Sequence, residues 1–166
     1  MTDADRALML QVLKRFRVLL RSMDAHYRQV ERRSGLGGAQ LWALAEIAGA
    51  GRITVGQLAK KLAIHLSTAS NLVRRLESLG LVARARLASD QRVVQLAATA
   101  AGRRKVRSAP KPSAGLLQQA LLEMEARELR ALTGQLEKVL RRMGGLDKAG
   151  GATLLSEMLG AKKGGG

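Results

Sequence analysis

The hydrophobic period changes once between residues 55 and 98, and this change constrains the fold more than any other feature of the chain. Apolar residues first recur at spacings of three and four, as on the buried face of a helix, with a short interruption at 63–65. After Gly80, a residue type that favours the end of a helix, the apolar residues alternate with others along 81–87 and again along 94–98. This order predicts two helices joined by a tight turn and followed by a β-hairpin, as in a winged helix-turn-helix.

Each predicted element is defined by its own apolar set. The first helix has Val55, Leu58, Ala59 and Leu62. The second helix has Leu66, Ala69, Leu72, Val73, Leu76 and Leu79. In the hairpin, one face is expected to hold Leu81, Ala83, Ala85 and Leu87, alternating with Val82, Arg84 and Arg86, and the return strand to hold Val94, Leu96 and Ala98.

The polar side of the second helix is expected to face duplex DNA. When the amino-terminal half of such a helix lies in the major groove, small polar side chains bond base edges and arginines bond phosphates. The candidates for base contacts are Ser67, Thr68, Ser70 and Asn71. The candidates for phosphate contacts are Arg74 and Arg75 of this helix and Arg84 and Arg86 of the hairpin.

The tip of the hairpin, residues 88–92, combines turn-forming residues with one acid and one arginine. An arginine at such a tip suits the narrow, electronegative minor groove, so Arg92 is the candidate for that contact. Asp90, two positions earlier, is expected to hold the arginine or to shape the loop.

The charge distribution agrees with a polyanionic partner. The net charge is +16 over the whole chain, and residues 51–110 carry twelve Lys or Arg against two acidic residues. The net +10 of this stretch compares with +3 on each flank, so the positive charge is concentrated where the motif lies. The plain alternative is a solvated basic surface, which is the usual meaning of a charge run.

Five short patterns in this order resemble the MarR-type (multiple antibiotic resistance regulator) winged-helix transcription factors of bacteria. Each pattern is weak alone, but together they cover about 70 residues with the separations of that family. They are Leu36-x-x-x-Gln40-x-x-x-Leu44, Leu58-Ala59-x-x-Leu62, Ser67-Thr68-x-Ser70, Leu76-Glu77-x-x-Gly80-Leu81-Val82, and Asp90-x-Arg92 followed by Thr99-x-x-Gly102. The expected fold class is mostly α with a small β-hairpin wing, a winged helix-turn-helix joined to a helical dimerisation region.

Long amphipathic helices flank the motif. One is expected from Asp3 to Arg33, and apolar residues recur at helical spacing again from Leu117 to Met143. Because neither stripe has a partner domain within the chain, both are expected to pack together and against a second copy. The resemblance implies the same homodimer, with two winged lobes on a pseudo-palindromic operator. The expected division is a helical dimerisation region at 1–34 and 103–166 and a DNA-binding lobe at 35–102.

Two segments depart from the family pattern. Pro110-Lys111-Pro112-Ser113 falls where relatives have a long linking helix, and proline there predicts a kink or a short break, with Ser113 as a candidate cap for the next helix. Residues 144–166 extend beyond the pattern and contain one short apolar segment, 153–159, and a glycine-rich tail. That segment is a candidate extra helix clasping the partner subunit.

Several function classes find little support. The chain has no cysteine, which excludes disulfides and thiolate metal sites within it. It has two histidines and lacks the HExxH, GxSxG, GxGxxG and GxxxxGK patterns, so neither an enzyme nor a metal or cofactor site is expected. No apolar run approaches a membrane span and the amino terminus lacks a signal peptide's apolar stretch, so a cytoplasmic location is expected.

The family resemblance also implies a small aromatic or phenolic acid as effector, bound between the dimerisation helices and the winged lobe. The candidate effector residues are His26, Tyr27, Arg28 and Trp42, and for Tyr27 and Trp42 a plain role in the core is the competing interpretation.

The leading hypothesis is a homodimeric, sequence-specific transcriptional regulator, more often a repressor in such families, that is released by its effector. The alternatives are an architectural DNA-binding protein with little sequence preference and a winged-helix module that binds proteins.

Overall fold

The computed structural model describes residues 2–86, 94–144, 150–151, 153, 155 and 158. Seven helices and one two-stranded antiparallel sheet occupy these residues, which confirms the expected fold class. In chain order the elements are α1 (Asp3–Ser34), α2 (Gly38–Ala50), α3 (Val55–Leu62), α4 (Leu66–Ser78), β1 (Val82–Arg86), β2 (Val94–Ala98), α5 (Ala100–Ser108), α6 (Leu116–Leu122) and α7 (Ala126–Met143).

Helix α1 follows the predicted span almost to the residue. The Thr2 hydroxyl accepts the backbone N–H of Asp5, whose carboxylate accepts the N–H of Thr2, so the first turn is capped in both directions. The helix ends at Gly35, which adopts the left-handed conformation (φ 68°) that glycine reaches without strain. Only the second half of α1 is buried against the rest of the described chain, through Met23, His26, Val30 and Ser34.

The core lies around α2. Its Leu41, Leu44 and Ile47 side chains are fully buried, and α2 contacts α1, α3, α4, α5 and β2. Each such side chain contributes about 1.5–3 kcal/mol when removed from water. Val30 of α1 and Ala109 beyond α5 belong to the same cluster, so the winged lobe shares its core with the elements on either side.

The hairpin pairs Val82 with Ala98 through to Arg86 with Val94. Ile53 exchanges two backbone hydrogen bonds with Leu96, N–H to O distances of 3.1 and 2.7 Å, and extends the sheet by one residue. Val82, Leu96 and Ala98 are buried, whereas Ala83 and Ala85 are exposed. The expected Ala83 and Ala85 face is therefore the outer one, and the face bearing Val82 turns to the core.

The predicted break after the wing is confirmed, since α5 ends at Ser108 and α6 begins at Leu116. The suggested cap was wrong: α6 begins after Gly115, and the Ser113 hydroxyl instead accepts the ammonium of Lys111 at 3.2 Å. A second interruption separates α6 from α7, where the Glu125 N–H donates to the carboxylate of Glu128 at 2.8 Å and caps α7.

The expected extra helix within 144–166 lies largely outside the described residues. Among the residues that are described, no helix is both long and apolar enough to cross a membrane.

Candidate nucleic-acid interface

Helices α3 and α4 form the predicted helix-turn-helix. Thr54 caps α3, because its hydroxyl accepts the N–H of Gln57 at 3.2 Å while the Gln57 side chain accepts the N–H of Thr54 at 2.9 Å. The turn passes through Ala63 in the left-handed conformation (φ 53°), whose N–H closes on α3. This sharp turn lets α4 cross α3 and bury one face, made by Ala69, Leu72, Val73 and Leu76.

The opposite face of α4 is polar and open to solvent. Ser67, Asn71, Arg74 and Arg75 are exposed and share one side of the helix, since residues three and four apart lie next to one another. Within the described residues neither arginine pairs with an acidic side chain. This ridge presents a donor and acceptor amide, a hydroxyl and two cations, the groups needed for base edges and phosphates.

Two of the predicted base-contacting residues are placed differently. Thr68 and Ser70 are half-buried, and the Ser70 hydroxyl donates to the Leu66 carbonyl of its own helix at 2.8 Å. That bond occupies the Ser70 proton and leaves an oxygen lone pair. The structure thus separates an outer pair, Ser67 and Asn71, from an inner pair.

The predicted apolar face of α4 was wrong at the two ends of the helix. Leu66 is 59% exposed and Leu79 is 41% exposed, because they lie beyond the part of α4 that packs against α2 and α3. Leu66 lies in the first turn of α4, next to Ser67. It therefore adds an apolar group to the exposed surface, although the sequence pattern assigned this residue to the core. His65 precedes α4 and is exposed, and its side chain makes no capping hydrogen bond.

The hairpin is fastened to α4 by an ion pair. The guanidinium Nε of Arg84 lies 2.7 Å from Oε1 of Glu77, near the carboxyl end of α4. Arg84 therefore faces α4, and half of its side chain stays open to solvent. The backbone of Arg86 ends β1, while its side chain and the predicted tip residues Asp90 and Arg92 lie outside what the structure describes.

The root of the wing is closely packed on α5. Thr99 donates its N–H to the Leu81 carbonyl at 3.0 Å and its hydroxyl to the Gly80 carbonyl at 2.8 Å, and its oxygen accepts the N–H of Gly102 at 3.0 Å. A Cβ atom at Gly102 would collide with the Leu81 carbonyl oxygen. This junction fixes the direction in which the hairpin leaves the lobe.

The four candidate effector residues have different surroundings. His26 is buried and its Nε2 lies 3.1 Å from the carbonyl oxygen of Pro112, whereas Arg28 is exposed and pairs with Asp24. Trp42 is half-buried against the lobe core and its indole N–H donates to Glu46 at 3.3 Å. Burial raises the pKa of the Tyr27 hydroxyl above its usual value, and the nearby Gln118 side chain partly offsets the rise.

No group of three or more His, Cys, Asp and Glu side chains within the described ranges could hold a metal ion. The geometry on α3, α4 and the hairpin is that of a winged helix-turn-helix, a DNA-binding fold with an exposed recognition helix.

Comparison with family models finds a match over part of the chain. Residues 34–93 match the model of the MarR family. Over this stretch, which holds the helix-turn-helix and the first strand of the wing, the chain is similar to the MarR family. No curated protein sequence matches the chain.

Solved structures share the fold. A MarR-family transcriptional regulator of Streptomyces coelicolor, solved in complex with DNA, is similar with a TM-score of 0.56 and 24% identity, over 92% of this chain and 95% of that one. The YusO protein of Bacillus subtilis gives 0.54 and 23%, over 84% and 99%. The reduced form of MarR from E. coli gives 0.52 and 25%, over 77% and 96%.

Proposed function

We propose that the protein is a homodimeric, sequence-specific transcriptional repressor whose operator is a pseudo-palindrome. The observation that carries this proposal is the ridge on α4, where Ser67, Asn71, Arg74 and Arg75 are exposed together on a helix whose opposite face is fixed in the lobe core. A rigidly held helix with such a face suits the major groove, because its side chains reach base edges with little loss of freedom.

The apolar surfaces of α1 and α7 support the homodimer. On α1 the side chains of Leu13, Phe16 and Leu20 are 41–48% exposed within the protomer. On α7 the side chains of Leu136 and Val139 are 40% and 46% exposed. Monomeric proteins rarely leave contiguous apolar surface of this kind in water. A second copy would cover both stripes, with 1–34 and 103–166 as the dimerisation region and 35–102 as the DNA-binding lobe.

The proposed contacts to DNA are of three kinds: to base edges, to phosphates and in the minor groove. Ser67 and Asn71 approach base edges, with Thr68 and Ser70 behind them, and exposed Leu66 contacts a thymine methyl group. The phosphate contacts fall to Arg74, Arg75, Arg84 and Arg86. Arg92 enters the minor groove with Asp90 shaping its loop, as the sequence pattern predicts.

Binding at a promoter represses transcription by excluding the polymerase, and a small aromatic or phenolic acid releases the protein. The regulator of Streptomyces coelicolor was solved with DNA, which supports duplex DNA as the partner here. The effector is tested with benzoate and 4-hydroxybenzoate as probes, added at millimolar concentration to the protein–DNA complex. Release of the DNA by either acid supports this part of the proposal, and unchanged binding contradicts it.

Selection from a pool of random duplexes, followed by competition, tests the proposal as a whole. The expected result is an enriched sequence with two inverted half-sites about 10 base pairs apart, bound at least about a thousandfold more tightly than random duplex. Sedimentation of the free protein should give twice the mass of one protomer, and the complex should contain two protomers per operator. A ratio near one would instead support an architectural protein that binds DNA without sequence preference.

A further inference from the structure

A small polar cluster joins the middle of α1 to the segment between α5 and α6. His26 is only 6% exposed, and its Nε2 lies 3.1 Å from the carbonyl oxygen of Pro112, which is 86 residues away in the chain. With a proton on Nε2, the imidazole donates a hydrogen bond to this carbonyl oxygen. Among the described residues, it is one of the few side-chain hydrogen bonds between residues far apart in the chain.

The next residue of α1 makes a second contact on the same segment. The Tyr27 hydroxyl lies beside Gly115, the residue before α6, so that a Cβ atom at Gly115 would stand 3.0 Å from that hydroxyl oxygen. The same Cβ atom would be 2.6 Å from Oε1 of Gln118, in the first turns of α6. Gly115 also has a φ of 104°, which residues with a side chain rarely adopt. A residue with a side chain at this position would therefore be strained and would have to displace Gln118 or Tyr27.

Both contacts are made with the non-helical segment between α5 and α6. Residues 109–115 are not helical, and a non-helical link allows the following helices to swing relative to the lobe. Helix α1, in contrast, is continuous and shares the lobe core through Val30. By holding Pro112 and the start of α6 against α1, His26 and Tyr27 fix the direction of α6 relative to the lobe.

We propose that His26 and Tyr27 are positioning residues that set the separation of the two recognition helices in the dimer. The proposal rests on the proposed function, because it requires that α6 and α7 take part in the dimer and that the two lobes bind one operator. In a dimer, a swing of the α6–α7 arm moves the whole lobe, so fixing this joint fixes the half-site spacing. The residues act through the arm and contact no DNA.

The test measures spacing preference rather than affinity alone. Three duplexes are compared: one half-site, two half-sites at the selected spacing, and the same two half-sites with five base pairs inserted, about half a helical turn. The variants are His26→Ala, His26→Gln and Tyr27→Phe. The matched control is Gln29→Ala, an exposed position on the same turn of α1.

We expect the wild type to prefer the selected spacing strongly over the inserted one. His26→Ala should reduce that preference by about tenfold or more, while its affinity for the single half-site stays within about twofold, since a loose joint lowers the effective concentration of the second lobe. His26→Gln should recover most of the preference, because its amide nitrogen lies about as far along the side chain as imidazole Nε2 and donates to the same carbonyl. Gln29→Ala should behave as the wild type.

The outcomes separate the two proposals. A wild type that binds paired half-sites no better than one half-site would overturn the proposed dimer on one operator. A normal wild type together with unchanged spacing preference in His26→Ala and Tyr27→Phe would overturn the positioning role alone. Equal losses of single-half-site affinity in His26→Ala and His26→Gln would also overturn it, because they would show that His26 only stabilises the fold.

Discussion

Replacing Gly102 with alanine should destabilise the winged lobe, although glycine is a poor helix former. In an open position of a helix, Gly→Ala adds up to about 1 kcal/mol of stability. At Gly102 the added Cβ meets the carbonyl oxygen of Leu81 and lies 3.2 Å from Cδ1 of Leu44. The Leu81 carbonyl also accepts the N–H of Thr99, so it is held in place and cannot move aside without loosening the root of the wing.

Overpacking of this kind costs about 1–3 kcal/mol, and here the obstacle is backbone, so we expect a net loss near 2 kcal/mol. For a chain of this size each kcal/mol corresponds to about 2–4 °C, which predicts a fall in Tm of about 4–8 °C. The measurement is thermal unfolding by circular dichroism at one fixed protomer concentration, because association changes the apparent Tm.

Gly49 supplies the matched control. It lies in α2, and an added Cβ there meets nothing within 4 Å. Gly49→Ala should therefore leave Tm unchanged or raise it by a few degrees, up to about 1 kcal/mol of stability. A Gly102→Ala protein as stable as the wild type, or more stable, would contradict this prediction, since it would mean that the root of the wing accommodates a methyl group.

Three further predictions follow from the interface and from the cluster around Tyr27. Arg75→Ala should lower the slope of log affinity against log salt by about 0.9, whereas Arg130→Ala on α7 should leave it unchanged. Glu77→Gln removes the partner of Arg84 and a negative charge beside the proposed DNA surface, so DNA binding at low salt should tighten; weaker binding would mean that the ion pair is needed to hold the wing. Tyr27 is the only tyrosine, so absorbance of the phenolate should report its titration directly, with a midpoint above the usual value near 10. Because the pKa of the Tyr27 hydroxyl is raised in the folded state, its contribution to stability is complete below the unfolded pKa and declines as pH rises through the folded pKa. Tyr27→Phe should remove that part of the alkaline destabilisation.

The sequence predicted the elements whose signal is local. The spacing of apolar residues predicts α1, the helix-turn-helix and the hairpin, and the prolines predict the break at 110–113. The prediction that Leu66 and Leu79 lie on the buried face of α4 was wrong. The period of apolar residues does not show where a helix extends beyond the core. The single-residue bridge at Ile53 has no periodic signal at all.

Contacts between residues far apart in the chain were not predicted from the sequence either. The pairing of Arg84 with Glu77 depends on how the hairpin folds back on α4, and the burial of His26 depends on a carbonyl group 86 residues away. Backbone carbonyls carry no residue-specific signal, so no spacing could have predicted the second contact. The exposed ridge of α4 was accessible from the sequence because both its polar residues and its buried face follow one helical period.

The most direct test of α4 as the recognition surface compares Asn71→Ala with Arg75→Ala on the selected operator, on operators with single base changes and on random duplex. We expect Asn71→Ala to lose discrimination at one position in each half-site, about 1–3 kcal/mol there, with little change on random duplex. Arg75→Ala should weaken all duplexes by a similar factor. If both variants weaken operator and random duplex equally, α4 does not contact bases, and the assignment of its exposed ridge as the recognition surface is contradicted.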